Sequence, residues 1–260
     1  MSLETVAAEL RWSTSKVSRI ELAKIAVTPA DVRALLGVLG TVSDEVETLV
    51  SLASENRQPG WWRQYAEVLP TWFEGYLSLE SEAARLLVYE SEVAPGLLQT
   101  EDYAAEILRH SPYTPLPDEA ARAAELRRAR QIRLTGPDPL HLDVVINEGA
   151  LRRVVGGPDA MRVQLHRLIE TSELPNVVLR VLPFEAGAHP GVDGSFIVLE
   201  FPDPGDPRIV YLEHMTDNDY LDGLREIAAY RHSHERLRAA ALSPNDSREM
   251  ISGLVEELMR

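Results

Sequence analysis

Between Leu3 and Glu21 the chain reads L-E-T-V-A-A-E-L-R-W-S-T-S-K-V-S-R-I-E, and no other stretch restricts the fold as strongly. Leu3, Val6, Ala7 and Leu10 recur at i, i+3, i+4 and i+7, which puts one apolar stripe on a short helix. Arg11 and Trp12 interrupt the stripe. Ser13 then offers a side-chain oxygen as N-cap of a second helix, whose inward positions are Val17 and Ile20.

The outward positions of that second helix are Thr14, Ser15, Lys16, Ser18 and Arg19. Short hydroxyls and long cations at a helix N-terminus suit the reading of base edges and phosphates in a major groove. Lys16 is positioned for a phosphate or guanine, and Arg19 for forking onto guanine O6 and N7. Lys16 and Lys24, the only lysines in the chain, both fall in this region. Ser13, Thr14, Ser15, Lys16, Arg19 and Lys24 are therefore the candidate DNA-binding residues. A solvated amphipathic helical hairpin carries the same spacing, so the motif alone leaves both readings open.

Residues 3–57 resemble the Cro/repressor-like, Xre-type helix-turn-helix domain, with Ala7 at the tight interhelical packing point and S-K-V-S-R-I-E as recognition helix. The segment from Thr28, T-P-A-D-V-R-A-L-L-G-V-L-G, resembles the helix that follows in that family. Thr28 is expected to cap it, Pro29 to take its first position and Gly40 to end it. A last helix is expected from Ser43 to about Arg57. Two departures stand out: Arg11 occupies a turn position where the family usually has glycine, and the family's first helix, a packing partner for Leu3, Val6 and Leu10, is expected to be missing.

At 260 residues, two domains are the natural expectation, at 1–58 and 59–260. The absence of cysteine excludes disulfides, a thiol nucleophile and thiolate metal ligands. Neither a membrane span nor a signal peptide is indicated, which makes a cytoplasmic location the default. The net charge of −15 argues against a nucleic-acid binder that uses its whole surface. Within residues 1–40, however, Arg11, Lys16, Arg19, Lys24 and Arg33 face only Glu4, Glu9, Glu21 and Asp31. A small DNA-reading face on an acidic body satisfies both facts, and weak affinity per monomer points to a homodimer on double-stranded DNA.

The remainder is expected to be an α/β domain with a small mixed sheet of about four strands flanked by helices, making the whole chain α+β. The spacing predicts a helix over 72–89, a helix capped by Thr100 after a Pro95-Gly96 turn, and an arginine-rich helix over 118–134. Arg122, Arg127, Arg128, Arg130 and Arg133 on the last are read as a solvated face salt-bridged to the acidic body, with a nucleic-acid contact as the alternative. Strands are expected at 141–146 and 177–182, joined by a helix near 159–172, and at 195–201 and 208–213 as a hairpin. Helices over 217–242 and 244–259 close the chain, the second capped by Ser243.

G-W-W-R-Q-Y (60–65), Y-E-S-E-V-A-P-G-L-L-Q-T-E-D-Y-A (89–104), I-N-E-G-A-L-R-R-V-V-G-G-P (146–158) and L-P-F-E-A-G-A-H-P-G (182–191) resemble the uncharacterised C-terminal domain found behind Xre-type domains in actinobacteria. That resemblance implies an antitoxin-like transcriptional regulator, often encoded beside a very small partner protein. The candidate ligand or partner site comprises Trp61, Trp62, Tyr89, Glu90, Gln99, Tyr103, His189 and Glu213, although the tryptophans, together with Trp72, Phe73 and Tyr76, read first as plain hydrophobic core. No catalytic residue, metal ligand or cofactor is expected. Gly156-Gly157-Pro158 lacks the Lys-Ser/Thr of a phosphate loop, and neither G-x-S-x-G nor H-E-x-x-H occurs. Two other classes stay open. One is an enzyme with a vestigial helix-turn-helix, using His189, Glu213 and Glu90 if these converge; the other is a pure protein-interaction module.

Overall fold

The computed structural model describes residues 1–21, 27–41, 46–47, 49–50, 53, 60–70, 72–110, 117–203, 205 and 207–259. The chain forms two compact units, Met1–Gln64 and Tyr65–Arg260.

In the first unit, α1 (Leu3–Leu10) is capped by the Ser2 hydroxyl, which accepts from the Thr5 amide. The second helix, α2 (Thr14–Glu21), is capped by Ser13, whose Oγ accepts from the Lys16 amide at 3.1 Å. Val6, Ala7 and Val17 are buried between them, with Leu3, Leu10, Trp12, Leu35 and Val38 packed around. Between the helices Arg11 adopts φ 54° and ψ 38°, the one non-glycine residue with positive φ among the described residues. Its amide donates to the Ala8 carbonyl and the Trp12 amide to the Ala7 carbonyl, so the left-handed residue closes α1 as glycine ordinarily does. The turn thus keeps its geometry and carries the side-chain strain. Helix α3 (Pro29–Leu39) has a full capping box between Thr28 and Asp31, Pro29 at its start, and Gly40 at φ 73° at its end. Lys24 and most of the helix expected over 43–57 lie outside the described residues.

The second unit is built on six strands: β1 (Arg85–Glu90), β2 (His141–Asn147), β3 (Val177–Leu182), β4 (Phe196–Glu200), β5 (Ile209–Glu213) and β6 (Asn218–Leu221). Their order is β3-β2-β1-β4-β5-β6. Strands β1, β2 and β3 are parallel, with Val88 opposite Val144 and Val144 opposite Leu179. Strands β4, β5 and β6 run antiparallel to their neighbours, Ile197 lying opposite both Val88 and Tyr211. The helices are α4 (Phe73–Glu82), α5 (Glu101–Arg109), α6 (Pro117–Arg130), α7 (Glu148–Arg152), α8 (Gly157–Thr171), α9 (Leu224–Ala240) and α10 (Pro244–Glu257).

Alternation along the strands divides the core into two layers. Leu86, Val88, Leu142, Val144 and Leu179 face one side, with Tyr76 of α4, Leu165 of α8 and Ile251 of α10. Leu87, Tyr89, Val145, Val198 and Val210 face the other, against Ile227 and Leu237 of α9. The overall α+β class is the expected one, but the sheet has six strands rather than about four. Strand β1 overlaps the end of the segment expected to be helical to Tyr89. Its run Leu86-Leu87-Val88-Tyr89 is apolar without alternation, a pattern shared by a helix flank and a strand covered on both faces. Strand β6 similarly takes residues assigned to the start of a long helix, which begins only at Leu224, after Gly223. At α5, Thr100 occupies the cap position without using its hydroxyl; its amide donates instead to Gln164 Oε1 at 2.7 Å.

Candidate functional site

The order of the strands sets where a ligand can enter. The chain moves from β1 outward to β2 and β3, then returns to place β4 on the other side of β1, so the connections diverge at the carboxyl end of β1. Such a switch point leaves a crevice that no connection fills. A cavity of 340 Å³ lies there, lined by Glu90 at the end of β1, Ser195 just before β4 and Ile197 near its start, Glu213 at the end of β5, and Arg127 and Arg130 of α6.

Its floor is tied down by a buried ion pair. Arg130 donates through Nε to Glu80 Oε1 at 2.8 Å and through Nη2 to Glu80 Oε2 at 2.6 Å, and the Tyr76 hydroxyl donates to Oε2 at 2.9 Å. The guanidinium also sits over the rings of Phe73 and Tyr76, 5.4 and 5.5 Å from their centroids. Burial alone would lower the pKa of Arg130, but Glu80 outweighs it and raises the pKa, so the guanidinium stays charged. Burial likewise drives the Tyr76 hydroxyl well above its ordinary range, with Glu80 adding to the effect.

The groups facing the cavity are less completely matched. Arg127 donates through Nη1 to Gln99 Oε1 at 2.6 Å, and Gln99 is itself held by donation from Nε2 to the Ala94 carbonyl. Desolvation and the neighbouring Arg130 lower the pKa of Arg127. Glu90 is pushed up from 4.5 to about 7 by desolvation, with Glu213 adding to the rise while Ser195 and Arg127 oppose it. Glu213 accepts from the Tyr211 hydroxyl at 3.2 Å. Gly96 borders the two arginines: a Cβ there would stand 3.2 Å from Arg130 Nη1 and 3.5 Å from Arg127 Nη1. The glycine lets the loop after β1 close down on the guanidinium groups.

A second hollow, of 350 Å³, is lined by Tyr89, Asn147, Arg153, Phe184, His189 and Gly191, among others. Its base is the layer of the sheet that holds Tyr89, and the Tyr89 and His189 ring centroids are 5.9 Å apart. His189 Nδ1 accepts from the Gly191 amide at 3.2 Å, closing its own turn. Gly191 must remain without a side chain, because a Cβ would fall 2.3 Å from the Tyr89 ring.

In the first unit, the exposed face of α2 carries Thr14, Ser15 and Arg19 beside the exposed cap Ser13. Arg19 Nε donates to the Ser15 carbonyl at 3.2 Å, which holds the stem along the helix. Lys16 is engaged elsewhere: Nζ lies 2.7 Å from Asp31 Oδ1 and 3.6 Å from the centroid of the Trp12 ring. The hydrogen bond from Lys16, and then that from Thr28, lowers the Asp31 pKa. Lys16 therefore joins α2 to the start of α3, in addition to any outward role.

A family model described as a helix-turn-helix domain matches residues 1–49. A second, described as a domain of unknown function (DUF5753), matches residues 73–253 and so covers most of the chain. The protein belongs to the DUF5753 family. No curated protein and no solved structure matches the chain. A helix-turn-helix DNA-binding domain followed by a DUF5753 domain is the organisation of a DNA-binding regulator. Among the described residues no helix is long and apolar enough to cross a membrane, and no group of three or more potential ligands gathers to hold a metal ion.

Of the candidate residues in the DUF5753 domain, Glu90, Gln99 and Glu213 share the first cavity. Tyr89 and His189 line the second hollow. Tyr103 reaches neither; it is buried, and its hydroxyl accepts from the Ala94 amide at 3.1 Å, which braces the loop after β1. Trp61 and Trp62 belong to the first compact unit, with their rings edge to face at 6.0 Å. Trp72, Phe73 and Tyr76 belong to the second, where Phe73 stacks on Tyr76 and the tilted ring of Tyr211 packs 4.4 Å from that of Tyr76. The arginine helix is not one solvated face. Arg122 pairs with Glu67 and Arg128 approaches Glu101 on the outside, whereas Arg127 and Arg130 turn toward the cavity. Sequence reasoning missed these two, and Glu80 with them. The available signal was the apolar run Ala123, Ala124 and Leu126, whose buried face the i, i+3 pair Arg127 and Arg130 continues.

Proposed function

We propose that the protein is a cytoplasmic, Xre-type transcriptional regulator of the antitoxin-like, actinobacterial kind, binding double-stranded operator DNA as a homodimer. Its DUF5753 domain takes a small effector or a small partner protein encoded nearby. The observation that carries the DNA reading is the helix-turn-helix itself, with the exposed hydroxyls and Arg19 of α2 on its outer face. Weak affinity from a single small face, on a chain of net charge −15, favours two copies on a two-fold site. The cavity at the switch point favours a small effector over a protein partner, because its polar groups converge inside a concave site. We propose no catalysis. Glu90 and Glu213 line one hollow and His189 another, where its Nδ1 is occupied by the Gly191 amide.

The test is fluorescence anisotropy of labelled duplexes from upstream of the gene, with the chain and its Arg19→Ala variant, across a salt series. Specific, salt-sensitive binding is expected, with Arg19→Ala weakening it by about 1–3 kcal/mol and relaxing preference at one base pair. Equal affinity of the two proteins for operator and scrambled duplexes refutes the assignment. Lys16 is a poorer probe, since its removal also strands Asp31 and uncovers Trp12.

A further inference from the structure

The cavity of the DUF5753 domain contains three ionisable groups that have no ion-pair partner among the described residues. Arg130 is saturated by Glu80 and is excluded from the count. Arg127 has one hydrogen bond, to the neutral Gln99, and among the described residues no carboxylate within ion-pairing distance. Glu90 has Ser195 beside it and Glu213 has the Tyr211 hydroxyl, and among the described residues neither forms an ion pair. The walls between these groups are apolar and aromatic: Phe73, Tyr76, Val88 and Ile197. Arg127 and Glu90 are partly buried and Glu213 lies at the exposed mouth, and a partly desolvated charge without a partner gains from an opposite charge brought by a ligand.

We propose that this cavity binds a small zwitterion of the amino-acid type, with its ammonium group held by Glu90 and Glu213, its carboxylate on Arg127 and its hydrocarbon body against Phe73, Tyr76 and Ile197. The inference rests on the effector reading given above. A simple anion would satisfy Arg127 but meet two carboxylates. A simple cation would leave the guanidinium uncompensated. An ammonium group has three donors and can serve both carboxylates at once, while the guanidinium fork matches a carboxylate in two parallel bonds. The volume of 340 Å³ lies near the lower limit of small-molecule sites, about 300 Å³, which excludes a folded peptide and admits one or two residues.

The probes are L-leucine, L-phenylalanine and L-methionine, each compared with its amide, which lacks the carboxylate, and its N-acetyl form, which lacks the ammonium. Isothermal titration calorimetry of the full chain reads all nine. At least one parent amino acid is expected to bind, with both of its derivatives weaker by about tenfold or more, the loss of one charged pair. Arg127→Gln should bring parent and amide to equal affinity, and Glu213→Gln should narrow the gap between parent and N-acetyl form; circular dichroism melts establish that each variant is folded. Derivatives that bind as well as their parents overturn the proposal. So does the absence of binding by all three parents to the folded chain at about 10 mM, weaker than the roughly −4 kcal/mol of a millimolar complex. The operator titration is scored separately. Specific DNA binding without amino-acid binding removes this inference and leaves the regulator standing, whereas the reverse outcome removes the regulator alone.

Discussion

Replacing Glu90 by Gln tests the electrostatics of the cavity directly. The Glu90 carboxyl has a native value of about 7 against 4.5 for an unhindered glutamate. Between those pH values the folded protein keeps a proton that the unfolded chain has released. Stability therefore falls as pH rises from about 4.5 to 7, and the full penalty persists above that window. At about 1.4 kcal/mol per pH unit the penalty reaches roughly 3 kcal/mol. Glu90 borders the cavity and is only half-buried, so water reaching the carboxylate reduces this to about 2 kcal/mol. Glu213 faces Glu90 and adds to the penalty, while Arg127 opposes it. Gln keeps the shape and cannot ionise. At pH 8, Glu90→Gln should stabilise the DUF5753 domain by about 2 kcal/mol, or roughly 6 °C for a domain of this size. At pH 4 the two proteins should melt together. Urea denaturation followed by tryptophan fluorescence at pH 4, 6 and 8 measures both limits. A variant less stable than the parent at pH 8, or an advantage that does not grow with pH, refutes the reasoning.

Two further substitutions test the framework around the sites. Glu80→Gln leaves the buried Arg130 guanidinium without its counter-charge and should destabilise the domain by about 3–5 kcal/mol, whereas the double change Glu80→Leu with Arg130→Met should recover most of that loss; a single variant within 1 kcal/mol of the parent in thermal unfolding contradicts the buried pair. Arg11→Gly relieves a left-handed backbone at an exposed side chain and should stabilise the helix-turn-helix unit by about 1 kcal/mol, read as a higher midpoint of its own unfolding transition; a lower midpoint contradicts the assigned turn.

The helix-turn-helix was legible because its signals are local. Ser13, Thr28, Pro29 and Gly40 act within a turn of where they stand, and all four occupy the cap or terminal positions that their chemistry favours. The strands at β2, β3, β4 and β5 were legible for a similar reason, since each is a short β-rich run bounded by turn residues. Strand β1 was not. Its four consecutive apolar residues satisfy a helical stripe as well as a strand sandwiched between two layers, and only the presence of both layers distinguishes the two. The candidate site was half legible. Glu90, Gln99 and Glu213, all named as candidates, do share one cavity, but His189 belongs to another hollow and Tyr103 to a loop brace.

By itself, then, the amino-acid sequence determined the helix-turn-helix, its caps, most of the strands and the acidic character of the chain, because propensity, capping and patterning act between residues close along the backbone. Tertiary structure alone decided that β1 is a central strand, that Arg127 and Arg130 turn inward, and that Glu90 meets Glu213 across β4. Those outcomes depend on burial on both faces of a sheet and on charges paired between distant segments. Such energies exist only once the chain has closed the loops between them.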